Sequence, residues 1–214
     1  MAPEATEGVP AGMRRARRLR LVLTLMGLAL VVGAGSGCAA PTFEPQPLLY
    51  SDRAPIPLAV DRLEVVDESG SARTPFEQGL DLPPALAAKA LLQSRLSAVG
   101  GDGRVRAVIT EAAVERRELP MRTGLVGLFT IEPEAVLTGR LGVRIDVVAP
   151  EGLSVASITS ATSLRRTVPE NATDAERREI AYELVRDLVD QLDAGLEANI
   201  RQNLARYMAS SWAG

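Results

Sequence analysis

The feature that most constrains the fold of this chain is a long helical pattern near its carboxyl end. Thr173 and Glu176 form a capping box, which satisfies backbone N–H groups of the first helical turn. The pattern then continues to Met208, over about 35 residues. Because its apolar residues recur every four positions, the stripe advances about 40° per step and winds around the helix. We expect the first half to lie on a sheet and the second half to turn away, with any bend at Gly195. The repeating residues are Ile180, Leu184, Leu188, Leu192, Leu196, Ile200, Leu204 and Met208.

Alternation of apolar and polar residues predicts three strands in front of this helix, because a period of two places each set on one face of a sheet. The clearest alternation runs from Leu137 to Val147. A second covers 105–110 and is predicted to continue to Arg117 across a bulge. The Ser- and Thr-rich range 155–164 is a weaker third. These three strands are expected to form an antiparallel meander with one buried face and one wet face.

One strand and one helix precede the meander. The range 58–66 predicts a strand, with a bulge near its middle that brings its apolar pairs to one side. The range 83–99 predicts a helix that opens on two prolines and ends at Gly100, with Leu96 and Val99 on its apolar stripe. The order β-α-β-β-β-α predicts an α+β two-layer sandwich, with an antiparallel sheet of about four strands and two helices on one face.

The first 37 residues have the pattern of an export signal. Five Arg between positions 14 and 20 precede 14 uncharged, mostly apolar residues, a length that fits a signal peptide better than a spanning helix. The small residues Gly35, Ser36 and Gly37 then precede Cys38, the single cysteine of the chain. This arrangement resembles the bacterial lipobox, which implies cleavage before Cys38 and acylation of its thiol and amine. The alternatives are an ordinary thiol after an apolar stretch and an uncleaved signal anchor.

The residues after Cys38 bear on where the protein is located. Ala39 stands where enteric lipoproteins of the inner membrane carry Asp, so the resemblance implies the periplasmic face of the outer membrane, with the inner membrane as the alternative. Five prolines lie between residues 38 and 57, which predicts an extended tether ahead of a single periplasmic domain at 58–214. The alternative for residues 48–50 is a loop packed on that domain.

The composition excludes several kinds of catalytic site, metal site and covalent cross-link. The chain has no His, one Cys and one Lys, which excludes Ser-His-Asp catalysis, His-ligated metals and intrachain disulfides. Removal of residues 1–37 takes away five Arg and two Glu, so the formal net charge goes from −3 to −6 and a basic nucleic-acid surface is not expected. Acidic pairs such as Asp187 with Asp190 fit a solvated helix face. We therefore expect no enzyme, no cofactor and no metal.

The range 119–131 joins two predicted strands, yet it is apolar where loops are normally polar. Three interpretations are open: it caps the end of the core, it docks on a partner protein, or it dips into a membrane or holds an acyl chain. The second half of the last helix is the other apolar feature, because its apolar residues remain after the predicted sheet and helices have formed one core. The residues predicted to contact a partner or lipid are therefore Leu125, Leu128, Phe129, Leu196, Ile200, Leu204 and Tyr207.

Several short segments resemble a known group of proteins. Besides Cys38 they are Arg-Glu-Leu-Pro120, Gly-Leu-Phe-Thr130, Arg-Thr-Val-Pro169 and the range 199–207, and they resemble uncharacterised lipoproteins of alphaproteobacteria. The order of elements also resembles, at the level of the fold, lipoproteins of lipopolysaccharide assembly and auxiliary lipoproteins of ABC-type lipid transport. The resemblance implies a lipid-anchored accessory or assembly subunit of an envelope complex. The alternative is a lipid or lipopolysaccharide binder that uses the 119–131 loop.

Overall fold

The computed structural model describes residues 42–48, 50, 53–70, 73–120 and 132–209. The chain divides into two units, Met1–Thr42 and Phe43–Gly214, and every described helix and strand belongs to the second. In chain order these elements are β1 (Ile56–Leu58), β2 (Arg62–Asp67), α1 (Pro75–Gln78), α2 (Pro84–Arg95), β3 (Leu96–Ala98), β4 (Arg104–Glu118), β5 (Pro133–Val148), β6 (Ser154–Pro169), α3 (Asp174–Asn203) and a 3₁₀ turn (Ala205–Tyr207).

The main sheet has four strands in the order β2-β4-β5-β6. The strands β4, β5 and β6 form the expected antiparallel meander, whereas β2 pairs with β4 in parallel. The parallel pair follows from the connection, because α1 and α2 lie between the two strands and carry the chain back to the starting end. The α+β class is therefore confirmed, and the sheet is mixed where an antiparallel one was expected.

The meander strands are longer than the alternation alone indicated. The predicted extension of the 105–110 strand is confirmed, since β4 reaches Glu118 across a register shift between Ile109 and Glu111. On β5 the side chains from Leu137 to Val147 alternate between buried and half-buried, with Gly142 also buried. The core lies between this face of the sheet and the helices α2 and α3, while ion pairs such as Arg140–Glu111 and Arg144–Asp146 cover the opposite face.

A small second sheet was not predicted. The strands β1 and β3 pair in parallel, with Ile56 opposite Leu96. The predicted strand 58–66 is therefore split between two sheets, and α2 ends at Arg95 because Leu96 has the extended backbone that this pairing needs. Val99, expected on the apolar stripe of the helix, is 52% exposed.

The last helix runs without interruption through Gly195, and its predicted capping box is present. It ends at Asn203, five residues before the predicted end, and is followed by the 3₁₀ turn. The backbone beyond it pairs with β1, since the amide of Ala59 donates to the carbonyl of Tyr207 over 2.8 Å and that of Ala209 to Pro57 over 3.0 Å. The second half of α3 therefore stays in the core where we expected it to turn away.

Candidate functional site

The described residues between Phe43 and Ala54, here called the strap, lie along α3. The rings of Phe43 and Tyr182 meet edge to face, with centroids 5.4 Å apart. The guanidinium of Arg178 lies 5.8 Å from the centroid of the Phe43 ring, and the Tyr182 hydroxyl donates to the carbonyl of Gln46. In the described part of the predicted 38–57 tether, the chain from Phe43 onward therefore packs on the domain instead of extending away from it.

The middle of the strap reaches the core. Leu48 is half-buried against the core, and Tyr50 is 8% exposed and belongs to it. The Tyr50 hydroxyl is buried and has no hydrogen-bond partner among the described residues. Burial raises the pKa of this hydroxyl, and the nearby carboxylates of Asp190 and Asp193 raise it further. The hydroxyl therefore stays protonated, and Tyr50 acts as an apolar anchor for the strap.

A buried ion cluster, here called the clasp, fixes the end of the strap. At its centre are Arg95, 2% exposed, and Asp193, 1% exposed, joined over 2.8 Å. Arg95 also bonds Glu197 over 2.5 Å and donates to the carbonyl of Ala54. Arg53 reaches Asp193 over 2.5 Å from the strap. The clasp thus joins three parts of the chain: the strap, the end of α2 and the middle of α3.

The clasp contains the nearest approach to a catalytic carboxylate pair, Asp193 and Glu197 at i and i+4. Arg95 lies between them and bonds both, and a second arginine, Arg53, bonds Asp193. The oxygens of both carboxylates are thus already engaged in ion pairs within the protein. The geometry therefore fits a structural junction better than a general acid–base pair.

Within the described ranges, no group of three or more Cys, Asp or Glu side chains has the arrangement of a metal site. None of the described helices combines the length and the apolar character that a bilayer-spanning helix needs.

The structure separates the predicted contact residues into two groups. Leu196, Ile200 and Leu204 are completely buried in the core of this domain, so they are not available to a partner, and Tyr207 is half-buried. The expectation was wrong because this part of α3 belongs to the core, and its Asn199 donates to the Thr159 carbonyl and the Ser160 hydroxyl of β6. The other predicted residues lie outside the described ranges: Gly35, Ser36, Gly37, Cys38, Leu125, Leu128 and Phe129.

The described ends of the 119–131 loop are held together at the start of α3. The amide of Leu119 donates to the carbonyl of Glu134 over 2.8 Å, and the Glu134 carboxylate bonds Arg177 over 2.7 Å and Arg116 over 2.5 Å. These arginines, Arg177 first, hold the pKa of Glu134 below its usual range. Because the next residue, Arg178, contacts Phe43, the described ends of the loop and the start of the strap lie at the same end of the domain.

The clasp was not predicted from the sequence, although its residues leave a signal. Ala181, Val185 and Val189 form a second apolar row on α3, and the next position in this row is Asp193. In α2, Arg95 likewise follows the buried Leu91 by four residues. A charged residue at a core position of an amphipathic helix indicates a buried partner of opposite charge.

Comparison with protein-family models gives no match, and comparison with curated protein sequences gives none either. Among solved structures, the chain is similar to rare lipoprotein B from Shewanella oneidensis, at 13% identity and a TM-score of 0.39, covering 68% of this chain and 98% of that one. It is also similar to a minor lipoprotein from Acinetobacter baumannii (15%, 0.35, 73% and 99%) and to the PelC dodecamer from Paraburkholderia phytofirmans (17%, 0.25, 66% and 93%). Bacterial lipoproteins are thus among its structural neighbours, as the fold-level resemblance implied, and at these scores no activity or partner is transferred from them.

Proposed function

We propose that this chain is a lipid-anchored lipoprotein of the bacterial envelope, held by Cys38, and a non-enzymatic accessory or assembly subunit of an envelope complex. The observation that carries the proposal is the position of Cys38. The sole cysteine of the chain follows a basic cluster, an apolar run of signal-peptide length and three small residues. Several acyl chains at this position give stable attachment, since each buried CH₂ contributes about 0.8 kcal/mol.

The strap supports a short connection between anchor and domain. Cys38 and Phe43 are five residues apart, and a chain of that length spans at most about 18 Å when fully extended. Among the described residues, contacts to the domain begin at Phe43. In this proposal the domain therefore works close to the membrane surface, where a subunit of a membrane-bound assembly is needed.

The 119–131 loop is the proposed contact surface. Its described ends lie beside Arg177, next to the residue that contacts Phe43, so they lie at the end of the domain where the strap begins. Its apolar residues Leu125, Leu128 and Phe129 would then face the membrane or a partner held there. The absence of enzymatic activity is proposed from the missing His and from the arginine pairing of the clasp carboxylates.

Replacement of the anchor residue tests the attachment. The Cys38→Ser variant should fail to incorporate labelled fatty acid and should leave the membrane fraction at high salt. The neighbouring Ala40→Ser variant is the matched control and should be labelled like the native chain. Purified native protein that begins upstream of Cys38 and carries no acyl mass would overturn the proposal.

Site-specific photo-crosslinking in cells tests the contact surface. A crosslinker at Phe129 should give one defined protein adduct, whereas one at Leu86, which is exposed on α2, should not. Equal labelling at both positions counts against an assembly role.

The competing function is lipid or lipopolysaccharide binding by the same loop, and the apolar character of residues 125–131 favours it. Native mass spectrometry of the unlipidated chain with added lipid discriminates the two. Stoichiometric lipid uptake supports the lipid binder. A clean apo mass supports the assembly subunit.

A further inference from the structure

The strand β6 is the outer strand of the main sheet, and its outer edge is divided into two unlike halves. In the first half, the carbonyl of Val155 accepts from Arg206 over 3.4 Å and that of Thr159 from Asn199 over 3.3 Å. These carbonyls point away from β5, and alternate residues of an antiparallel strand point the same way. The pairing with β5 has no register shift between Ala156 and Val168, so Ala161, Ser163, Arg165 and Thr167 also direct their N–H and C=O groups outward.

The second half of the edge has no such covering. Among the described residues, no hydrogen bond reaches the outward backbone groups from Ala161 to Thr167, and the outward residues are exposed. Natural edge strands are normally short or are protected by charged side chains, above all Lys, by Pro or by a bulge. The strand β6 is 16 residues long, its charged residues are Arg165 and Arg166, and its only Pro is the last residue, Pro169. This part of the edge is therefore a template for one more strand.

A cleft of about 500 Å³ lies beside this edge, between β6 and α3. Its apolar lining comes from the half-buried side chains of Leu164 and Ile180. Arg166 also lines it and is neutralised by Asp187 and Glu183. Arg165 and Thr167 also border the cleft, and Arg165 has no ion-pair partner among the described residues. The edge thus offers two apolar side chains in the cleft and one positive charge that no described residue neutralises.

We propose that residues 161–167 of β6 form a strand-addition site for an extended segment of a partner protein in which acidic and apolar side chains alternate. The segment pairs antiparallel with β6. Its apolar side chains lie over the cleft at Leu164 and Ile180, and its acidic side chains lie beside Arg165. The inter-strand hydrogen bonds provide affinity and the alternating side chains provide selectivity. This inference goes beyond the proposed function, since it concerns a second surface and does not depend on the anchor.

A second copy of the chain fits this site less well. Two β6 edges paired over 161–167 are centred on Leu164, which places Arg165 of each copy diagonally across from Arg165 of the other. A register centred nearer Ala161 requires Asn199 and Arg206 to leave the carbonyls that they now bind. Charge complementarity therefore favours an acidic partner segment.

The test uses a synthetic peptide of alternating Glu and Val and the full lipidated protein in detergent. In antiparallel pairing, directly opposed residues share a face, so the Glu residues opposite Arg165 also exchange the hydrogen bonds with β6. N-methylation of the Glu amides should weaken binding at least about tenfold, whereas N-methylation of the Val amides should leave the Kd within about twofold. Fluorescence anisotropy measures both. No saturable binding of the unmethylated peptide up to about 1 mM, or equal losses for the two methylated peptides, overturns the inference.

Two variants locate the binding on the edge. Ser163→Pro removes an outward N–H on an edge strand, where Pro is tolerated, and should abolish binding. Thr159→Pro makes the same change in the covered half and is the control that should still bind. Arg165→Glu should weaken the acidic peptide while leaving the melting temperature unchanged, and it serves as the second variant if Ser163→Pro does not fold. Unchanged affinity in a folded Ser163→Pro or Arg165→Glu variant contradicts the proposed site. The result is independent of Cys38, so its failure leaves the anchoring proposal intact.

Discussion

Asp193 is the residue whose surroundings differ most from those that its side chain prefers. It is almost completely buried, and its two oxygens bond Arg53 and Arg95. Desolvation of such a pair costs several kcal/mol per ion, so the cluster contributes little net stability compared with apolar residues. Removal of one member of the cluster is strongly destabilising, because the remaining charge stays buried without a partner.

We therefore expect Asp193→Ala to lower the free energy of unfolding by about 3–5 kcal/mol, measured by urea denaturation. The control is Asp190→Ala, which removes the exposed partner of Arg53 and should cost at most about 1 kcal/mol. Combining Arg95→Met with Asp193→Leu should restore much of the loss. If Asp193→Ala is no worse than Asp190→Ala, the clasp is not a buried junction.

Glu77 makes stability depend on pH. Burial acts to raise its pKa, but hydrogen bonds from the amides of Thr74 and Val114 and from the Thr74 hydroxyl outweigh this and lower the pKa below 4.5. A carboxyl with a lowered pKa in the folded state stabilises the fold above its unfolded pKa, and this contribution disappears as the pH falls through the folded value.

Glu77→Gln should accordingly cost about 1–2 kcal/mol at pH 7, and the difference from the native chain should shrink as the pH is lowered below 4.5. Urea denaturation at several pH values gives both numbers. Glu64→Gln, on the exposed part of β2, is the control and should show no such cost. A Glu77→Gln penalty that is independent of pH contradicts this explanation.

At the scale of elements, the sequence predicted what regular periodicity can encode. The alternation in β5, the capping box at Thr173 and the bulged continuation of β4 were all predicted, because each depends on neighbouring residues. The strands β1 and β3 were not, since three residues are too few to show a period and Leu96 also continues the helical stripe of α2. Pairing with a distant strand decided the conformation of Leu96.

Two glycines give opposite predictions for substitution by Ala. At Gly139, in β5, an added Cβ would lie 2.2 Å from Cδ1 of Leu188, which is itself fully buried. Gly139→Ala should therefore destabilise the fold by about 1–3 kcal/mol through overpacking. At Gly195, within α3, an added Cβ meets nothing within 4 Å.

Gly195→Ala should stabilise the fold by about 0.5–1 kcal/mol, because Ala is the better residue in a helix interior. Thermal unfolding monitored at 222 nm measures both variants, and Gly139→Ala combined with Leu188→Ala should be less destabilising than the sum of the two single changes. A destabilising Gly195→Ala would mean that α3 bends at this residue, as the sequence alone had left open.

For the molecule as a whole, some parts of the candidate site can be predicted from neighbouring residues, and others depend on residues that are far apart in the sequence. The anchor at Cys38 stays a prediction, and it could be made because a targeting signal is linear in sequence. The clasp was not, because it joins residues 53, 95 and 193, which nothing local brings together. The contact role of Leu196, Ile200 and Leu204 was wrong for the same reason, since their burial depends on packing against parts of the core that are distant in the sequence. Edge exposure on β6 likewise depends on which strand is outermost.

The prediction for the whole molecule concerns the strap, because its contacts determine at which residue the stably folded domain begins. A chain that starts at Thr42 retains every strap contact and should unfold at the same urea concentration as the mature protein. A chain that starts at Gln46 loses the Phe43–Tyr182 ring contact, which contributes about 0.5–1.5 kcal/mol. One that starts at Pro55 also loses buried Tyr50 and both strap partners of the clasp, and should be destabilised by at least about 3 kcal/mol.

Equal stability of the Thr42 and Pro55 chains would mean that the strap lies on α3 without stabilising the fold. The spacer behind Cys38 would then extend to β1, and the domain could stand well away from the bilayer.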